Sequence, residues 1–349
     1  MIELTDFTFE ELSKIITDEF NQPSYRAKQL YAGLTRFQSF DEITELPKAL
    51  KQAIAEKYSA QALQIEKKFV SVDGTVKYLY RLNDGHVIEG AFMKQSYGNT
   101  LCISTQVGCR MGCAFCASGI GGLVRNLTAG EILSQALAVN RDQGGTVEKR
   151  AVTNIVLMGS GEPLDNYDNV TKFLRLLSSP NSLNISERNI SLSTCGLVDK
   201  VYKLADDGFT VTLTFSLHAS NDESRRKVMP VANKYLIKDI IESAKYYFEK
   251  TGRRVIFEYT MIKGENINHF DAVRLAQTLK GFPCHVNLIP LNPVKEKNIK
   301  GCTKVEGERF MKKLNDLGVS ATIRKSKGAD VGGACGQLRR SYIGGENNG

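Results

Sequence analysis

The stretch that most constrains this chain is Leu101–Gly119, LCISTQVGCRMGCAFCASG, which places Cys109, Cys113 and Cys116 in a C-x3-C-x2-C arrangement. Three thiolates this close together can hold an iron–sulfur cluster or a zinc ion. Structural zinc usually draws on paired C-x2-C knuckles and would need a fourth Cys or His from elsewhere. Three ligands for four irons leave one iron open, and an open iron is a place for chemistry.

At 349 residues the chain can bury a large core, so one large domain with a small appendage is expected. No apolar run approaches the ~20 residues of a membrane span. The N-terminus, MIELTDFTFEELSKI, is acidic and amphipathic, unlike a signal or transit peptide, so a cytoplasmic location is expected. In a reducing cytosol, eight cysteines suggest metal, catalysis or core packing before stable disulfides. The net charge is +8 although residues 1–50 hold 5 basic and 9 acidic side chains. The remaining body is therefore basic, which points to a polyanionic partner, RNA or DNA first.

Pattern divides the chain into four segments. Residues 1–63 read as short helices: Thr8 and Glu11 form a capping box ahead of Leu12, Ile15 and Ile16, Pro23-Ser24 opens a second helix, and a third follows Pro47. Residues 64–94 alternate like strands, with an Asp73-Gly74 turn predicting a hairpin. Residues 95–330 repeat strand and helix about six times, which predicts an α/β fold with a parallel sheet and helices outside, curled into a partial or full barrel. Residues 331–349 form a glycine-rich tail.

Ligands in such folds bind at the C-terminal ends of the strands. There the chain carries Gly159-Ser160-Gly161-Glu162-Pro163, then Ser193-Thr194, Ser216-Leu217-His218 and Asn292-Pro293. Each alone is ordinary turn chemistry; their recurrence at one end of successive strands marks a site. Arg324, Lys325, Lys327, Arg339 and Arg340 surround Cys335 in sequence, a basic setting suited to phosphate contacts.

The cysteine triplet after the first strand, with Gly-Glu-Pro at the second, resembles the radical S-adenosylmethionine superfamily. Cys102 just before the triplet, RNLT after it, SLHAS at 216–220, NLIPLNP at 287–293 and ACGQL at 334–338 narrow the resemblance to the RlmN/Cfr family of RNA adenine methyltransferases. The resemblance covers nearly the whole chain. It implies a partial (β/α)6 radical SAM barrel with a small N-terminal helical domain and a β-hairpin extension. It implies that Cys109, Cys113 and Cys116 ligate a [4Fe-4S] cluster, and that Gly161, Glu162, Ser193, Ser216, Leu217, His218 and Asn292 line the S-adenosyl-L-methionine site. Cys335 would be methylated by one S-adenosylmethionine, and a second would be cleaved to a radical that activates the new methyl group. Cys102 would then release the product through a transient disulfide with Cys335, with Glu89 as proton acceptor. The implied partners are 23S rRNA and tRNA, with an electron donor such as flavodoxin or ferredoxin; a monomer is expected.

Such chemistry accounts for the residue types. The amidine carbons of adenine are electron-poor, so a carbon radical adds where nucleophilic methyl transfer fails. A thioether between enzyme and base must then be broken, and a second thiol does this by attack on sulfur. Pro163 and Gln106-Val107-Gly108 favour the RlmN-like C2 branch over the Cfr-like C8 branch, whose members confer antibiotic resistance. The chain departs from the family's Gly-Met-Gly-Glu at Ser160, which puts any substrate or shape role of that Met in doubt. A competing class, an RNA-binding protein with a structural cluster, has no use for Cys102 and Cys335.

Overall fold

The computed structural model describes residues 1–294 and 296–338, so Arg339 and Arg340 lie outside the described residues. Ten strands form one open sheet in the spatial order β10-β9-β8-β7-β6-β5-β4-β3-β2-β1. These are β1 (Leu63–Val70), β2 (Val76–Leu82), β3 (Val87–Gln95), β4 (Gly98–Cys102), β5 (Asn154–Leu157), β6 (Ile190–Thr194), β7 (Thr212–Ser216), β8 (Val255–Met261), β9 (Cys284–Pro290) and β10 (Ala321–Ile323). Strands β4 to β10 run parallel, while β1 to β3 join them as antiparallel hairpins. The β-rich segment ahead of the cysteines thus continues the barrel sheet. Its first turn forms at Asp73-Gly74, where Asp73 Oδ1 accepts from the Thr75 N–H at 2.9 Å and Gly74 takes a left-handed φ of 82°.

Six crossovers link the parallel strands, through α4 (Ala129–Asp142), α5 (Tyr167–Ser178), α6 (Val198–Asp206), α8 (Ile237–Thr251), α9 (His269–Thr278) and α10 (Lys304–Asp316). The short α7 (Asp222–Val228) sits between β7 and α8. Sequence periodicity missed α7, because two turns with no apolar stripe carry no signal; Asn221 caps it by accepting from the Ser224 N–H at 2.9 Å.

Strand alternation sorts the side chains. Ile155, Leu157, Leu192, Leu213, Phe215, Phe257 and Leu288 point outward and pack with the helices in the main core. Their sequence neighbours Ser191, Thr214, Glu258, Asn287 and Thr322 point inward and line the barrel lumen. The core is therefore the shell between sheet and helices, and the lumen mixes these polar groups with apolar ones such as Met93, Met158, Ile256 and Ile289.

At the N-terminus α1 (Phe9–Asp18), α2 (Tyr25–Thr35) and α3 (Lys48–Ala55) bury Leu12, Ile16, Leu30, Leu34 and Ile54 in a separate apolar cluster. The Thr8/Glu11 capping box forms, with bonds of 3.2 and 2.7 Å. This module is tied to the barrel at the start of α4, where Asp6 Oδ1 accepts from the Gly130 N–H at 2.6 Å. Gly130 is required there, since a Cβ would lie 2.7 Å from the Asp6 backbone nitrogen. Among the described residues no helix is long and apolar enough to cross a membrane.

The chain leaving β4 is held by a fully buried clasp. Gln135 of α4 accepts from the Ser104 N–H and donates to the Ser104 carbonyl, both at 2.9 Å. The Ser104 hydroxyl donates to the Glu89 carbonyl at 2.7 Å and accepts from the Ser160 N–H at 2.9 Å. Replacing Gln135 by Leu strands both main-chain groups of Ser104 without water. The expected loss is about 2–6 kcal/mol, from roughly 1–3 kcal/mol for each of the two unpaired buried groups. A urea midpoint equal to that of the unmodified protein would contradict this.

Candidate active site

The cysteine loop hangs from the C-terminal end of β4 and is pinned at several points. A short antiparallel pair, Gln106–Gly108 against Leu123–Asn126, closes its base. The Cys109 N–H donates to the Gly122 carbonyl at 3.1 Å, and the Ala114 N–H donates to the Val228 carbonyl at 2.9 Å. Met111, Cys113, Ala114 and Phe115 pack against Cys195, Met229 and Ile262. Cys109, Cys113 and Cys116 line one cavity of about 130 Å³.

The other wall of this cavity is built from the strand ends. Gly161, Glu162, Ser193, Ser216, His218 and Asn292 all line it. Gly161 adopts φ 113°, and a Cβ there would come 2.7 Å from Thr105 Oγ1. Its positive φ and its close packing on Thr105 and Gln106 require glycine there, which leaves only main-chain atoms of this residue on the cavity wall. Glu162 is buried, which pushes its carboxyl above the usual range, while its oxygens accept from the Cys195 N–H at 2.7 Å and the Leu164 N–H at 3.0 Å. His218 is also buried; burial and the nearby Arg225 push its pKa down to about 3. Its Nδ1 accepts from the Thr260 N–H at 2.9 Å, so the proton of the neutral ring sits on Nε2. Its backbone holds the left-handed φ of 56° unusual for a non-glycine residue, fixed by Asn266 donating to its carbonyl at 2.9 Å.

Leu217 differs from its neighbours. Its side chain is buried in the main core and it lines neither cavity: its N–H donates to the Glu258 carbonyl at 3.0 Å and its carbonyl accepts from Arg225 Nε at 3.2 Å. Arg225, on the unforeseen α7, is fully buried. Its guanidinium also donates to the carbonyls of Cys195 at 2.7 Å, Ser216 at 3.3 Å and Tyr235 at 3.2 Å. One side chain thus joins the ends of β6 and β7. The run DESRRK reads as a solvated face, so sequence held no signal for this role.

A larger cavity of about 750 Å³ fills the lumen beside the first. Cys102 and Cys335, from opposite ends of the sequence, both line it. Cys335 also lines the smaller cavity, as do Met158, Glu258, Ile289 and Asn292. The tail is docked to reach this place. Gly336 and Leu338 accept through their carbonyls from the Ala117 N–H at 2.8 Å and the Ser118 hydroxyl at 2.6 Å. Asn292 Nδ2 donates to the Cys335 carbonyl at 3.0 Å. Upstream, Asp330 accepts from the Ser71 hydroxyl at 2.5 Å and the Val72 N–H at 3.1 Å, fastening the tail to the first hairpin.

Arg324 lies within electrostatic reach of both thiols and of Glu258. It donates to Glu258 Oε1 at 3.3 Å and to the Met158 sulfur at 3.6 Å. Ser193 donates to the other Glu258 oxygen at 3.2 Å. Neither Glu258 nor this use of Arg324 was foreseen: Glu258 sits mid-strand, where a carboxylate usually faces solvent. Burial pushes the Cys335 thiol up to about 11 against the opposing pull of Arg324. Burial, with the neighbouring Cys335, pushes Cys102 up to about 12.

Glu89 is brought near the tail but lines neither cavity. It is wholly buried on β3, with Lys77 Nζ 3.0 Å from its carboxylate. The same ammonium abuts Gly332, just ahead of Cys335. Ser160 is buried with its hydroxyl unpartnered among the described residues, while its carbonyl accepts from the Thr105 and Gln106 N–H groups. The strand end is thus held by backbone, whatever side chain occupies this position.

Three soft thiol donors, a glycine cradle at the facing strand end and no fourth cysteine on the loop fit a cluster with one open iron. No three His, Cys, Asp or Glu side chains among the described residues gather around one point as a lone metal ion requires. Thiolates on separate corners of a cluster need not do so. Partial barrel and thiol loop together define a radical S-adenosylmethionine enzyme, and the Radical SAM superfamily model matches residues 103–276.

The relatives are more specific. A Clostridium botulinum (strain Alaska E43) protein named "Probable dual-specificity RNA methyltransferase RlmN" is 47% identical over 345 residues, covering 98% of each chain. A like-named Clostridium perfringens (strain 13) protein is 48% identical over 346 residues, again covering 98% of each. The crystal structure of a radical SAM methyltransferase from Sphaerobacter thermophilus superposes with a TM-score of 0.93 at 39% identity, covering 98% of this chain and all of that one. The chain belongs to the RlmN family of radical SAM RNA methyltransferases. It is an S-adenosylmethionine-dependent RNA methyltransferase, and its family implies a [4Fe-4S] cluster.

The raised thiols give a pH test. With a pKa of about 11, roughly one Cys335 in a thousand is ionised at pH 8. Iodoacetamide alkylation of Cys335, mapped by mass spectrometry, is expected to climb about tenfold per pH unit from 8 to 10. Arg324→Gln removes the cation that opposes the shift, so it should slow alkylation further at every pH. A rate that levels off below pH 9 would contradict the assigned environment.

Proposed function

We propose that this enzyme methylates C2 of an adenine in 23S rRNA, adenosine 2503, and also adenosine 37 of tRNA, through a protein–RNA covalent adduct. The observation that carries the reading is the position of Cys335. It stands on the wall shared by the thiol-lined cavity and the lumen, and Cys102 lines the lumen too. In this reading Cys109, Cys113 and Cys116 hold the cluster. Gly161, Glu162, Ser193, Ser216, His218 and Asn292 hold S-adenosylmethionine, with Leu217 seated behind them in the core. When bound, these groups supply the methyl group for Cys335 and, from a second S-adenosylmethionine, the radical that activates it.

The chain's own residues do the rest. The Cys335 sulfur accepts the methyl group and carries its carbon to the adenine ring. Glu89 takes the proton lost from that ring, and the Lys77 ammonium beside it steadies its charge. Cys102 attacks the Cys335 sulfur as a thiolate; the disulfide forms as the sulfur–carbon bond breaks, the electron pair leaves with the bridging carbon, and a proton taken up there completes the methyl group on the freed base. Arg324 steadies both thiolates. We place the enzyme in the cytoplasm, where a low-potential donor such as flavodoxin or ferredoxin is at hand and its eight free cysteines stay reduced. We read it as a monomer.

Cys335→Ala is expected to abolish methylation of 23S rRNA. Cys102→Ala is expected to stall with protein bound covalently to RNA, seen as a band shift that survives denaturation. Methylation by Cys335→Ala at the unmodified rate would overturn the mechanism. Digests of product RNA should contain 2-methyladenosine; 8-methyladenosine in its place would overturn the regiochemistry in favour of the Cfr-like reaction.

A further inference from the structure

The lumen cavity carries a feature that the chemistry above does not use. Tyr97 lines it, yet is 75% exposed. It sits in the two-residue link, Ser96-Tyr97, between the paired Gln95 of β3 and Gly98 of β4. Two-residue hairpin turns favour Asn, Asp and Gly, so turn geometry gives no reason for a tyrosine. Packing gives none either. Among the described residues its ring stacks on no other ring and its hydroxyl makes no hydrogen bond. The ring is an uncovered apolar face at the mouth of the cavity that holds Cys102 and Cys335.

Three cations line the same cavity, Arg188 just ahead of β6 and Lys325 and Lys327 just past β10. Arg188 and Lys325 are exposed and Lys327 is half-buried. None is ion-paired with a described residue. Deeper in, the Thr214 hydroxyl is buried, lines the same cavity and has no hydrogen-bond partner among the described residues. Asn154, Ser191 and Asn287 line the same lumen. An open aromatic face, unpaired cations along the same cavity and an unspent hydroxyl within suit one chemistry. That is a single-stranded or flipped-out nucleotide, stacked by its base and held by its phosphates.

We propose that Tyr97 is the stacking platform for the RNA base that enters the lumen, or for its immediate neighbour, and that Arg188, Lys325 and Lys327 hold the flanking phosphates. The inference rests on the reading that RNA is modified in the cavity beside Cys102 and Cys335. Tyr97 is a positioning residue: it delivers the base and takes no part in methylating Cys335.

The test separates the two claims. Cluster-loaded enzyme is compared with its Tyr97→Ala, Tyr97→Phe and Arg188→Ala/Lys325→Ala variants on a 23S rRNA stem-loop carrying 2-aminopurine next to the target adenine. The chain contains no tryptophan, so the aminopurine signal is read cleanly. Methylation of Cys335 without RNA is followed by intact-protein mass. Tyr97→Ala is expected to raise KM for the RNA by about 5- to 150-fold, the span of one stacked base. It should also lose the fluorescence change on binding, leaving Cys335 methylation untouched. Tyr97→Phe should behave as the unmodified enzyme. The double cation variant should flatten the salt dependence of binding by about 1.4 in the log–log slope, from ~0.7 per single-strand phosphate contact.

An unchanged KM and fluorescence response in Tyr97→Ala would overturn the proposal. So would a Tyr97→Ala protein that also fails to methylate Cys335, since that marks a structural role. If the unmodified enzyme never methylates Cys335, the covalent mechanism fails, while the fluorescence comparison still decides the role of Tyr97.

Discussion

The active site depends on one buried clasp, the grip of Gln135 on both main-chain groups of Ser104. Ser104 is two residues past Cys102 and five before Cys109, so the thiol at the end of β4 and the first cysteine of the loop share one anchor. Its hydroxyl reaches β3 on one side and the Gly-Ser-Gly-Glu strand end on the other. In a dry environment these bonds have no water to fall back on, so loss of any one is expensive. The thiol loop and the facing strand end are thereby set against each other before any ligand binds.

A second constraint is electrostatic. The lumen and its rim bury ionisable groups that water would otherwise solvate, and each is answered by neighbours. Arg225 spends its donors on four backbone carbonyls and so locks two strand ends. Glu258 is met by Arg324 and Ser193. Glu89 is met by Lys77. Isolated, any of these would be too costly to bury. Paired, they give the cavity a fixed pattern of charge beside two thiols that burial keeps protonated.

Sequence made the barrel legible because strands and helices here differ so plainly in period. Leu213 and Phe215 alternate with Thr214 and Ser216, while the Phe9–Asp18 helix announces its cap in Thr8 and Glu11. The strand-end residues were legible for the same reason: once the strands are placed, their ends follow. Gly161, Ser193, Ser216, His218 and Asn292 all line the smaller cavity, and only the Leu217 side chain turns away into the core. What stayed hidden came from long-range packing. Nothing in DESRRK marks Arg225 as buried, because its burial depends on Cys195 and Tyr235 being folded around it. Nothing local marks Glu258 or Lys77, whose partners come from other strands. The meeting of Cys102 with Cys335 came from family likeness, since no local pattern joins two ends of a chain.

Around Cys335 the tail is held through the main-chain carbonyls of Cys335, Gly336 and Leu338, with the Asp330 and Gln337 side chains fastening it on either side. The backbone around Cys335 is thus fixed while its side chain keeps a single free torsion. Cys335 lines both cavities, so a turn about that one bond is the only motion its sulfur has to offer between them while the main chain stays in place.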